Sequence, residues 1–140
     1  MGKILVATRG GEESYRTQDE AIALAKERGD TILFMYVVDT HFLDKTAASV
    51  VVDVEQELTR MGEFLLLMAK ERAEEQGVMA ETLCREGEMR DELKSAAVEE
   101  DVALVVLGRP IGEQSRFALA DLEAFAAEVT SETGVDARII

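Results

Sequence analysis

Short apolar runs alternate along this chain with longer stretches whose apolar residues recur every three or four positions. The runs fall at about residues 3–8, 31–38, 80–84, 102–107 and 136–140 and read as strands. Thr31-Ile32-Leu33-Phe34-Met35-Tyr36-Val37-Val38 is apolar nearly throughout, as a strand covered on both faces must be. Asp136-Ala137-Arg138-Ile139-Ile140 is short and mixed, as suits an edge strand. The stretches between them read as helices over about Ser14–Arg28, Asp53–Gln76, Met89–Glu100 and Glu113–Thr133. In the first, Ala21, Leu24 and Ala25 share a face. Three of the four stop at a glycine (Gly29, Gly77 and Gly134), the residue that turns left-handed without steric cost. Strict alternation of strand and helix predicts right-handed parallel crossovers and a layered α/β sandwich. A length of 140 residues fits one domain with one core.

The second helix carries more apolar residues than one stripe needs. Val54, Leu58, Met61, Leu65 and Met68 line up, while Leu66 and Leu67 fall off that line. Two readings stand: a wide buried stripe, or a self-association contact. Before it, Thr40 to about Val52 is long for a connection and holds His41, Phe42, Lys45 and Val50-Val51-Val52. This stretch is either a lid or partner surface, or, from Ala47 onward, more of the same helix.

Two of the turns carry the chemistry. Ile4-Leu5-Val6-Ala7-Thr8 runs into Arg9-Gly10-Gly11, and Val102 to Leu107 runs into Gly108-Arg109-Pro110-Ile111-Gly112. Open parallel sheets bind ligands at such carboxyl ends, where the strand order reverses. Arg9, Arg85 and Arg109 each follow a predicted strand, and Ser115 and Arg116 open the fourth helix. Forked guanidinium donors beside helix amides suit a small anion. Against this, Glu12, Glu13, Glu86, Glu88 and Glu113 lie next to these arginines and offer ordinary surface ion pairs. Val38-Asp39 ends the second strand. Asp39 there serves either a ribose hydroxyl or its own loop.

Charge and composition narrow the partners. Asp and Glu number 29 against 15 Lys and Arg, a net charge of -14. Such a surface repels nucleic acid and anionic membrane alike. The single cysteine, Cys84, forms no internal disulfide and reads as a small core residue. One Cys and one His do not make a zinc site. Glu99-Glu100-Asp101 reads as solvated surface, and no serine lies in a nucleophile elbow. The opening Met1-Gly2-Lys3 leads straight into a strand too short for a secretion signal, and Val6 stands where a myristoylation signal needs Ser or Thr. A reducing, cytoplasmic setting is expected.

Lys3 to Thr8, Ala21 to Gly29, the stretch to Val37-Val38-Asp39, Gly87, Ala96-Ala97 and Val105-Val106-Leu107-Gly108 together resemble the universal stress protein family over nearly the whole chain. The resemblance implies a single-domain three-layer sandwich with a five-stranded parallel sheet in the order 3-2-1-4-5 and four helices. It also implies homodimers, often through the last strand. Members of the family that bind nucleotide follow strand one with Asp-Gly-Ser and carry Gly, two residues, Gly, nine residues, then Gly and Ser or Thr. This chain has Arg9-Gly10-Gly11 in the first place. In the second, three residues rather than two separate Gly108 from Gly112, and no glycine lies between Gly112 and Gly134. It resembles the members without the motif. The expectation is a non-enzymatic module that works as a homodimer through protein partners and needs no cofactor. A small anion would bind near Thr8, Arg9, Gly10, Gly11, Val38, Asp39, Gly108, Arg109, Gly112, Ser115 and Arg116. The alternative is an ATP- or AMP-binding switch with a divergent site.

Overall fold

Strand β1 (Lys3–Ala7) lies at the centre of a parallel sheet, flanked by β2 (Thr31–Val38) and β4 (Leu104–Leu107). Ile4 registers with Ile32 on one side and Leu104 on the other. β3 (Ala80–Glu86) closes the edge beside β2, and β5 (Asp136–Ile139) the edge beside β4. The order is β3-β2-β1-β4-β5, with four helices: α1 (Glu12–Arg28), α2 (Ala48–Glu75), α3 (Met89–Glu99) and α4 (Ser115–Thr133). The computed structural model describes residues 2–8, 12–39, 48–109 and 115–140, and only the main chain of 12–13, 48–53 and 115–118.

Successive strand residues face opposite sides, and here both sides are apolar. Ile4, Val6, Ile32, Phe34, Leu104 and Val106 face α1 and α2, meeting Ala21, Ile22 and Ala25 of the first and Leu66, Ala69 and Ala73 of the second. Leu5, Leu33, Met35, Val105 and Leu107 face α3 and α4, meeting Leu93, Ala96 and Ala97 of the first and Phe125 and Val129 of the second. The three layers follow from this double coverage.

Gly29, Gly77 and Gly134 have φ of 71°, 79° and 76° and end α1, α2 and α4 as the sequence indicates. α3 is capped at its start by Glu88, whose carboxylate accepts the Arg90 and Asp91 amides at 3.2 and 3.1 Å. It ends in a tight turn at Asp101 (φ 52°), with the Val102 amide donating to the Ala97 carbonyl. That turn occupies the chain ahead of Leu104, so β4 is shorter than its apolar run. β3 runs two residues beyond its expected end, pairing Val37 with Arg85 and Val38 with Glu86.

The expected stripe on α2 holds in part, since Leu58 and Leu65 pack against the core, but it is centred differently. Leu66 is buried, and Met61 is exposed along with Phe64 and Leu67. α2 meets the sheet through Gly62. A β-carbon there would lie 2.3 Å from Tyr36 Cδ1. Small residues set the contact line Gly62, Ala69 and Ala73, and this rotates Met61, Phe64 and Leu67 into solvent. α2 starts at Ala48, so Val50-Val51-Val52 is helical. Residues 40–47, with His41, Phe42 and Lys45, lie outside the described residues.

Candidate functional site

β1 and β4 are neighbours whose crossover helices lie on opposite faces, so a crevice opens beyond their carboxyl ends. The structure holds a cleft of about 480 Å³ there. Its floor is Val106, Leu107 and Gly108, with Arg109 beside them. Ala7, Ser14 and Thr17 form the wall toward α1. The opposite wall comes from α3 (Met89, Arg90, Leu93) and α4 (Asp121, Leu122, Phe125).

Gly108 is glycine because α1 passes close over it: a β-carbon would lie 2.5 Å from Thr17 Oγ1. The Arg109 amide donates to the Ile140 carbonyl at 2.9 Å, and the Ile140 amide donates to Leu107 at 3.0 Å, so the β4–β5 ladder continues under the cleft. Arg16 Nη2 donates to the carbonyls of Arg109 and Ile140, both at 3.3 Å, while its Nη1 pairs with Glu20 at 3.2 Å. This arginine braces the turn after β4 from below.

Of the residues expected at the site, Gly108 and Arg109 line the cleft. Thr8 is buried next to it. Its amide donates to the Met35 carbonyl at 2.8 Å, and its hydroxyl accepts Gln18 Nε2 at 2.7 Å. Val38 is buried among the residues facing α1 and α2, and its carbonyl accepts the Gly87 amide at 3.0 Å. Asp39 follows it, exposed, and neither lines the cleft. Arg9, Gly10, Gly11 and Gly112 lie outside the described residues. Ser115 and Arg116 contribute the start of α4, with their side chains outside the description.

Arg85 does not belong to the group. It lies inside β3 at the sheet's edge, hydrogen-bonded to Glu99 and 3.5 Å from Glu92, and these carboxylates hold it charged. For this arginine the surface-pair reading is the right one. Glu99 and Glu100, read as solvated surface, pair with Arg85 and Lys3. Cys84 is half-buried against the core, and burial pushes its thiol up, with Glu63 and Glu86 adding to the effect. Among the described residues no cluster of ligating side chains fits a metal ion, and no helix is long and apolar enough to cross a membrane.

The α3/α4 wall was not legible in the sequence. Arg90 lies over the Phe125 ring, 5.0 Å from its centroid, and hydrogen-bonds Asp121. Arg90 and Phe125 are 35 residues apart in sequence and meet only because both crossovers cover the same sheet face. A cation shortly after Gly87, at the start of a helix, was the one available hint.

The model of the family described as "Universal stress protein family" matches residues 1–130. The chain belongs to the universal stress protein family. Universal stress protein YxiE of Bacillus subtilis is 32% identical over 124 residues, covering 77% of this chain and 78% of that protein. Among solved structures, a universal stress protein in complex with cAMP is 22% identical, with a TM-score of 0.70 over 99% of this chain and 96% of that one. The universal stress protein from Archaeoglobus fulgidus in complex with dAMP is 16% identical, with a TM-score of 0.64 over 100% and 98%. At these identities the two structures share with this universal stress protein family member its fold.

Proposed function

We propose that this chain is a binding module without chemistry of its own, whose β1/β4 cleft takes a small organic anion with a flat apolar part. The observation that carries the reading is the cleft itself. Its volume of about 480 Å³ lies within the range of small-molecule sites, roughly 300–1,000 Å³. Leu93, Leu122 and Phe125 offer apolar contact, and two guanidinium-bearing residues, Arg90 and Arg109, line the same space. Guanidinium groups match carboxylate and phosphate oxygens with paired donors. The module would act as a cytoplasmic homodimer through contacts with other proteins. The exposed Met61, Phe64 and Leu67 on α2 support self-association, and sedimentation across a concentration series tests it.

A nucleoside monophosphate is the second reading, favoured by the cAMP and dAMP held by two proteins of the same fold. Calorimetric titration with inorganic phosphate, AMP and ATP separates the two. The first reading expects phosphate and simple organic anions to raise the melting temperature, with replacement of the two cleft arginines, Arg90 and Arg109, by alanine abolishing the shift. The second expects AMP to bind at low micromolar Kd, roughly -8 kcal/mol. If none of these ligands releases heat or shifts the melting temperature, both readings fail.

A further inference from the structure

We propose that Arg90 on the α3 wall is the anion receptor of this cleft, and that Asp121 is the built-in carboxylate which an incoming phosphate replaces. The inference rests on the ligand-binding reading above and assigns the group that does the binding.

Three described cations bridge α3 to a neighbouring element, and they differ in one respect. Arg85 is held by two carboxylates, Glu92 and Glu99. Lys94 is held by two, Glu128 at 3.3 Å and Glu132 at 2.9 Å. Among the described residues Arg90 has one carboxylate partner, Asp121, and of the three it alone lines the cleft. Its other support is the face of Phe125, itself buried. A contact between the guanidinium and the ring leaves the N–H donors free to bond elsewhere. The Arg90 side chain is 45% exposed and that of Asp121 64% exposed, so water already weakens their attraction. A phosphate monoester carries more charge than a carboxylate and offers three acceptor oxygens. It takes the position of Asp121 without lifting Arg90 from the ring.

The same geometry excludes a rival explanation. The Arg90 and Asp91 amides at the start of α3 are not the receptor, because the Glu88 carboxylate already accepts both. The phosphate therefore meets a side chain here and not a helix end. The flat part of the ligand then lies along Leu93 and Leu122, which line the same cleft.

The test titrates AMP and inorganic phosphate into the intact chain and into Arg90→Gln, Arg90→Lys, Asp121→Asn, Arg109→Gln and, as a control at the far edge of the sheet, Arg85→Gln. Melting temperature is recorded for each to separate folding from binding. The proposal expects Asp121→Asn to tighten AMP by about five- to tenfold, since it removes the competing charge. It expects Arg90→Gln to weaken AMP by about tenfold or more, with Arg90→Lys recovering part of the loss because charge returns without the fork. Arg85→Gln should bind as the parent does. A purely structural tie between α3 and α4 would instead lower the melting temperature of Asp121→Asn and leave affinity where it was. That result overturns the proposal. So does loss of binding confined to Arg109→Gln, which would leave the cleft as the site with a different receptor. If the parent chain binds neither AMP nor phosphate, the cleft reading falls and the receptor falls with it.

Discussion

Replacing Gly62 with alanine probes the closest approach between α2 and the sheet. In an exposed helix interior that change stabilises by about 1 kcal/mol, because alanine loses less backbone freedom. Here the added carbon would lie 2.3 Å from Tyr36 Cδ1, 2.7 Å from Cε1 and 2.9 Å from Cγ. That is about 1 Å inside ordinary van der Waals contact with the nearest atom. Tyr36 is only 9% exposed, so its ring has no open space to swing into, and α2 must lift instead. Overpacking of this kind costs about 1–3 kcal/mol, and lifting a helix from its core pushes toward the top of that range. The helix-propensity gain offsets part of it, leaving a net loss of about 1–2 kcal/mol. Urea denaturation followed by circular dichroism should show a lower midpoint with an unchanged slope. Tyr36→Ala removes Cγ, Cδ1 and Cε1, so the same glycine substitution in that background should lose its penalty, and the double-mutant cycle reads the coupling directly. A rise in midpoint for Gly62→Ala in the parent, or equal penalties in both backgrounds, would refute the close-packing argument.

Gly108→Ala should destabilise by about 1–2 kcal/mol in thermal melts, because its β-carbon would meet Thr17 Oγ1 at 2.5 Å, and Thr17→Ala should relieve the effect. Asp30 accepts the Gly2 amide at 2.9 Å and Arg28 Nε at 2.8 Å. Arg28 first, then the amide, lowers its carboxyl below the ordinary 3.8. The folded value lies under the unfolded one, so the stabilisation is full above the unfolded value and disappears as pH falls through the folded one. Asp30→Asn should therefore cost about 1 kcal/mol near neutrality, and the gap from the parent should close on acidification below about pH 4. Because burial raises the Cys84 thiol, a disulfide reagent at pH 7.5 should label it more slowly than free cysteine, with the rate recovering in urea. Labelling as fast as free cysteine in the native protein would contradict that burial.

The order of elements was legible because both periodicities were strong. β1, β2 and β4 are apolar on both faces, which only a covered parallel strand tolerates, and the glycines after α1, α2 and α4 mark true helix ends. The orientation of α2 was legible only in part: Leu58 and Leu65 face the core as their spacing indicates, but Leu66 takes the buried position given to Met61. Counting large apolar residues favours Met61, whereas the helix seats itself where side chains are smallest, at Gly62, Ala69 and Ala73. The lining of the candidate cleft was half legible for a related reason. Gly108 and Arg109 follow an apolar run and betray themselves by position. Arg90, Asp121 and Phe125 become neighbours only after two crossovers have laid α3 and α4 side by side, and no local spacing encodes that. Arg85 misled because β3 is longer than its apolar stretch, so a residue that looked terminal sits within the ladder.

The line of Met61, Phe64 and Leu67 along α2, with Phe64 62% exposed, sits on a molecule of net charge -14. Like charge keeps two such molecules apart over a distance that electrolyte sets, about 30 Å at 0.01 M and about 3 Å at 1 M. Adding electrolyte removes that repulsion and leaves apolar attraction intact or, with sulfate, stronger. The proposed self-association along this ridge would therefore tighten as ionic strength rises, while the proposed guanidinium–phosphate complex would loosen. One buffer series would give the two surfaces opposite slopes.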